Sequence, residues 1–89
     1  MRVRRLHTAI KKNRYQYKLI ERTPTKAIYA QEDYGYEVFK INLFKPHPKS
    51  LDDLERYDLV EYFPNNEDFG RKAWSVRSFD DAKKIYDAL

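Results

Sequence analysis

Apolar and polar residues alternate along much of this chain, and the alternation predicts strands. In the stretch YQYKLIER, Tyr15, Tyr17 and Leu19 alternate with Gln16 and Lys18, the period-two signature of a half-buried strand. Ile20 breaks the alternation, so the strand ends or bulges there. Pro24 interrupts the next few residues, and KAIYAQE then reads as a second strand. Asp33, Tyr34 and Gly35 form a turn in which Gly35 is expected to supply a positive φ. Residues 36–44 form the most pronounced strand, with Phe39, Ile41 and Leu43 on one face.

Pro46 and Pro48 end that strand. Residues 50–56 predict a short helical turn with Ser50 as N-cap and Asp53 at N3. Residues 59–63 read as a short strand, 64–70 as loop, and 72–77 as a last strand carrying Trp74 and Val76 into the core. From Ser78 the period changes to that of a helix. Phe79, Ala82, Ile85, Tyr86 and Leu89 form one stripe, Ser78 is its N-cap, and Asp80 and Asp81 sit in the first turn. A helix this short is marginal alone, so it must dock on the sheet. The reading is α+β: an antiparallel meander of four to five strands with one C-terminal amphipathic helix packed on one face. Residues 1–14 show no clean period and read as a basic N-terminal arm or an irregular first strand, ahead of a single domain over 15–89.

Composition changes this picture in two respects. Eight tyrosines, five phenylalanines and one tryptophan in 89 residues exclude a disordered chain. The absence of cysteine removes thiolate nucleophiles and Cys-based zinc sites, and favours a cytoplasmic setting without disulfides. No apolar run follows the basic start, so a signal peptide or a membrane association is not expected.

Charge is the more informative feature. The net charge of +4 conceals a division: residues 1–26 carry nine Lys/Arg and one acid, whereas 27–89 carry nine and thirteen. Arg2, Arg4, Arg5, Lys11, Lys12 and Arg14 precede Tyr15, Tyr17 and Lys18. Cations neutralise phosphates and aromatic faces stack on unpaired bases, so these nine residues are candidates for contact with DNA or RNA. A rival reading uses Tyr34, Tyr36, Tyr57 and Tyr62, placed at loops or on wetter strand faces, as an interface with a host protein or a second copy. The same composition serves a plain soluble domain whose basic end only aids solubility and whose tyrosines are half core.

No catalytic or metal-binding residues are assigned. His7 and His47 lack a neighbouring nucleophile or carboxylate at motif spacing, and adjacent acids such as Asp52/Asp53 and Asp80/Asp81 point apart on a helix. With two glycines in the chain, phosphate-cradling and dinucleotide loops are excluded, so neither an enzyme nor a bound cofactor is expected.

The motifs IKKN at 10–13, GYEVF at 35–39, NEDFG…AW at 66–74 and the helix at 78–89 resemble a group of short uncharacterised proteins. That group occurs in Bacteroides-type gut bacteria, their mobile elements and their phages. The resemblance covers most of the chain beyond residue 6, the connector KPHPKSLDDLERYD departing from it. It implies a compact α+β domain, a bacterial or phage cytoplasm and a phage accessory or host-interference role, and it carries no activity.

Overall fold

A computed structural model describes residues 1–89, apart from the side chain of Asn66. Two sheets and two helices build it. The strands are β1 (Val3–Arg4), β2 (Ala9–Lys12), β3 (Tyr15–Arg22), β4 (Lys26–Gln31), β5 (Gly35–Lys40), β6 (Asn42–Phe44), β7 (Leu59–Tyr62) and β8 (Ala73–Val76), and the helices are α1 (Leu51–Arg56) and α2 (Phe79–Ala88). The larger sheet is antiparallel throughout in the order β2-β3-β4-β5-β8. A smaller sheet has the order β1-β7-β6, with β1 parallel to β7. The α+β class, the antiparallel meander and the docked C-terminal helix agree with the sequence pattern.

Three local features depart from it. Residues 1–14, read as a basic arm or one irregular first strand, contain two strands, β1 and β2, one in each sheet. The apolar run 36–44 is two strands in different sheets, β5 and β6, separated at Ile41. Ser50 makes no side-chain capping bond, its backbone at ψ 77° departing from the extended conformation of an N-cap, while the Asp53 carboxylate expected in a capping box is held by Arg4. By contrast Ser78 does cap α2, its Oγ accepting from the Asp81 amide at 3.1 Å.

The bulge at Ile20 has the widest consequences. Leu19 pairs with Tyr29 and Glu21 with Ile28, so Ile20 is the extra residue. Beyond it the strand's phase is reversed. Tyr17, Leu19 and then Arg22, not Glu21, face the inner side of the large sheet. Glu21 is turned to the opposite side, where Lys83 of α2 holds its carboxylate. One inserted residue thus supplies both a cation for the inner layer and an anion for docking the helix.

Each face of the large sheet carries its own core. On the outer face, α2 covers β4, β5 and β8, burying Ala82 and Tyr86 against Ile28 and Val38. Lys26 closes the helix C-terminus, its Nζ donating to the Tyr86 carbonyl at 2.7 Å. On the inner face Tyr17, Ala27, Tyr29, Phe39 and Ala73 pack against Leu6, Ile10, Leu19, Ile41, Phe63 and Phe69. Trp74, expected in the core, is only half-buried, because β8 is an edge strand.

Gly35 meets its expectation for a steric reason as well. Its φ is +139°, and a Cβ there would lie 2.4 Å from the Val76 carbonyl oxygen.

Candidate nucleic-acid interface

The candidate cations separate into two groups when traced through the structure. Arg2, Arg4 and Arg5 are matched by acids from the second half of the chain. The Arg2 amide donates to Asp58 Oδ2 at 2.8 Å. Arg4 Nη1 donates to Asp53 Oδ2 at 2.9 Å. Arg5 Nη1 lies 3.9 Å from Glu61 Oε2. The parallel pairing of β1 with β7 brings them together. Charge separated along the chain is therefore largely remixed in space over this first strand.

The second group lies on the β2–β3 hairpin. Asn13 and Arg14, at φ 53° and 71°, form its two-residue connection, the primed turn whose twist suits a hairpin. Asparagine at that position was the one available signal for this hairpin, and the sequence reading passed over it. Pairing of Lys11 with Gln16 and of Ala9 with Lys18 places both lysines on the outer face, beyond the strands that α2 covers. Lys11, Arg14 and Lys18 are exposed and have no ion-pair partner among the described residues. Glu32 and Asp33 share this end of the sheet and moderate its potential.

An aromatic pair lies at the same end of the sheet but on its other face, Tyr15 sharing the inner side with its register partner Lys12 and with Tyr17. Tyr15 and Tyr34 meet edge to face with centroids 5.2 Å apart, and Tyr34 keeps 63% of its surface exposed. Tyr17 does not join them. It is buried among inner-face residues, tilted against Phe63, with its hydroxyl pushed up to about 12 by burial and by the nearby Glu37 carboxylate. Lys12 also turns inward, its Nζ bonded to the Pro64 carbonyl and 5.4 Å from the centre of the Phe63 ring.

The four tyrosines of the rival reading divide into two pairs. Tyr34 and Tyr36 flank the start of β5, Tyr36 half-buried against Phe79. Tyr57 and Tyr62 belong to the small sheet and its helix, roughly 20 Å of strand away. They do not make one surface. An apolar groove of another composition opens beside Tyr62, between β6 and α1, lined by Phe44, Pro46, His47, Leu54 and Phe63.

Two buried carboxylates went unnoticed in the sequence, because on a strand an acid at an inward position looks like any exposed one. Glu61 is 5% exposed and fully matched. Arg22 Nη1 and Nη2 donate to its two oxygens, each at 2.8 Å, and the Leu6 amide donates at 2.9 Å. These bonds, the Arg22 pair foremost, hold its carboxyl below the usual range. Glu37 is 6% exposed and its Oε2 has no hydrogen-bond partner. Burial raises its carboxyl above the usual range, against the opposing influence of Tyr17 and Lys12.

No group of three or more metal-ligating side chains is assembled among the described residues. No helix of the described residues is long and apolar enough to cross a membrane. Compared with protein-family models, curated proteins and solved structures, the chain matches none of them. The reading of function therefore rests on the hairpin and its surroundings.

Proposed function

We propose that this is a non-catalytic binding domain that contacts single-stranded nucleic acid through the β2–β3 hairpin. The observation that carries the reading is the trio Lys11, Arg14 and Lys18, exposed and without ion-pair partners among the described residues, on a hairpin whose other face carries the Tyr15–Tyr34 pair. Cations along a strand of phosphates with an aromatic ring at one end are the ingredients of sequence-tolerant single-strand binding. Relative to the candidates drawn from the sequence, the interface moves from the start of the chain to the hairpin, and Arg2, Arg4, Arg5 and Tyr17 leave it. A role in a phage or mobile element, in a cytoplasm, accords with the resemblance of the GYEVF and NEDFG…AW motifs.

The number of unpaired cations sets the expected salt dependence. Three phosphate contacts on a single strand give a slope of about −2 in log K against log salt, hence about a 20-fold loss of affinity between 50 and 200 mM. Fluorescence anisotropy with a labelled all-thymine decamer measures it. The variant Lys11→Gln/Arg14→Gln/Lys18→Gln should bind weakly at every salt concentration and show a flat profile. A native protein whose affinity is weak and salt-independent would overturn the reading.

The apolar groove between β6 and α1 supports a second reading, self-association, in which Phe44 of the short edge strand β6 packs into the groove of another copy. Phe44 is 56% exposed there. Sizing chromatography at low and high concentration should then show a concentration-dependent dimer in moderate salt that Phe44→Ser abolishes. A monomer at both concentrations excludes it.

A further inference from the structure

Among the described residues, Glu37 is the buried acid that keeps one carboxylate oxygen without a hydrogen-bond partner. Its neighbour in kind, Glu61, receives an arginine fork and an amide, whereas Oε2 of Glu37 is enclosed with nothing donating to it. An enclosed acceptor left bare is costly, so a carboxylate kept in this condition asks for a donor from outside the chain. Glu37 lines a pocket of about 210 Å³ with Lys12, Asn13, Tyr15, Tyr17, Gln31 and Phe63. That volume is below the ~300–1,000 Å³ typical of whole small-molecule sites and suits one flat heterocycle of nucleobase size.

The lining defines which ring. Tyr15, Tyr17 and Phe63 offer apolar, π-bearing walls. Glu37 supplies acceptors, and Lys12 supplies an ammonium donor from the same lining. A cationic ligand would meet the Lys12 charge, and a purely apolar one would leave Glu37 unsatisfied. A neutral heterocycle with donors next to an acceptor satisfies both. Asn13 and Tyr15 belong to this lining and to the hairpin proposed to carry the strand, so a base turned off that strand has a path into the pocket.

We propose that the Glu37 pocket accepts one unpaired base of the bound strand and prefers guanine, whose N1 and N2 donors face the Glu37 carboxylate while O6 faces the Lys12 ammonium. The inference rests on the single-strand reading above and adds base selectivity to it. Carboxylates accept from base donors in the same manner in groove readout, and a good two-point contact discriminates by roughly 5- to 150-fold.

The test compares decamers that differ at one central position: all thymine, one guanine, and one hypoxanthine, which lacks the N2 amino group. The native protein should bind the guanine decamer roughly 5-fold or more tightly than the all-thymine one, with hypoxanthine between them. Glu37→Gln should erase the guanine preference and leave affinity for the all-thymine decamer, and its salt slope, unchanged. The comparison within native protein stands even if the variant is poorly folded. Salt-dependent binding with no preference among the three decamers would overturn the pocket alone. Absence of binding to any of them would overturn the hairpin reading together with it.

Discussion

Arg22→Ala is expected to remove about 3–5 kcal/mol of stability, the usual penalty for breaking a buried ion pair and stranding its partner. Domains of this kind hold only about 5–15 kcal/mol in total, so the variant should be close to unfolding at room temperature. The stranded group is Glu61, whose side chain is enclosed where β7 meets the end of β3 and the segment linking β1 to β2. Its other contacts, the Leu6 amide and a more distant Arg5, do not replace a two-point guanidinium. Urea unfolding followed by tryptophan fluorescence measures the loss. The double variant Arg22→Met/Glu61→Leu should recover most of it, since removing both charges eliminates the desolvation cost as well as the attraction. An unchanged midpoint for Arg22→Ala would show that Glu61 is not enclosed.

The same pair fixes the sign of a pH effect. Glu61 titrates below its ordinary range in the folded protein, so the pair's contribution is complete above the unfolded carboxyl value of roughly 4.3 and is lost as pH falls through the depressed folded value. Arg22→Ala removes the main cause of that depression, leaving burial acting upward against the Leu6 amide and Arg5 acting downward. The stability gap between native protein and variant should therefore narrow as pH is lowered below the unfolded carboxyl value, through the depressed folded one. Glu37 acts in the opposite direction: burial raises its carboxyl, so it opposes folding at neutral pH and this penalty fades as pH falls through its raised folded value.

Tyr29→Ala should be as damaging, at about 3–5 kcal/mol for a large aromatic side chain removed from a closed site. Tyr29 has no exposed surface and is stacked on Phe39 with centroids 5.7 Å apart, while Phe63 meets its edge at 5.4 Å. Its hydroxyl donates to the His7 carbonyl at 2.7 Å and so ties the link between β1 and β2 to the middle of the large sheet. Tyr29→Phe isolates that bond and should cost about 1 kcal/mol. Trp74→Ala provides the comparison: on an edge strand and only half-buried, it should cost clearly less than Tyr29→Ala. Thermal unfolding of the three variants orders them, and a Trp74→Ala loss equal to that of Tyr29→Ala would contradict the half-buried, edge-strand placement of Trp74.

How far the site was legible depended on whether its residues act locally. The hairpin cations Lys11, Arg14 and Lys18 stood out in the sequence, because unpaired exposed charges keep their linear neighbourhood. Arg2, Arg4 and Arg5 stood out equally, yet each lies near an acid some fifty residues away, Arg4 in a close pair with Asp53 and the more exposed Arg2 and Arg5 at longer range from Asp58 and Glu61. Tyr17 gave the period of its strand correctly and its function wrongly. Alternation shows that a residue faces one side of a sheet, and a stacking platform and a core residue share that pattern.

What the sequence by itself determined is everything governed by local sterics and by period. This covers the strands from residue 15 onward, the break near Ile20, the turn at Gly35, the capped amphipathic helix and hence the α+β class. Only the tertiary structure decided that the run 36–44 bends at Ile41 into a second sheet, that β1 joins it in parallel, and that one acid is paired while another is left bare. The reason is physical. Periodicity and turn chemistry are properties of neighbouring residues, whereas the partner of a buried charge is set by which distant backbones the closed sheets bring within hydrogen-bond reach.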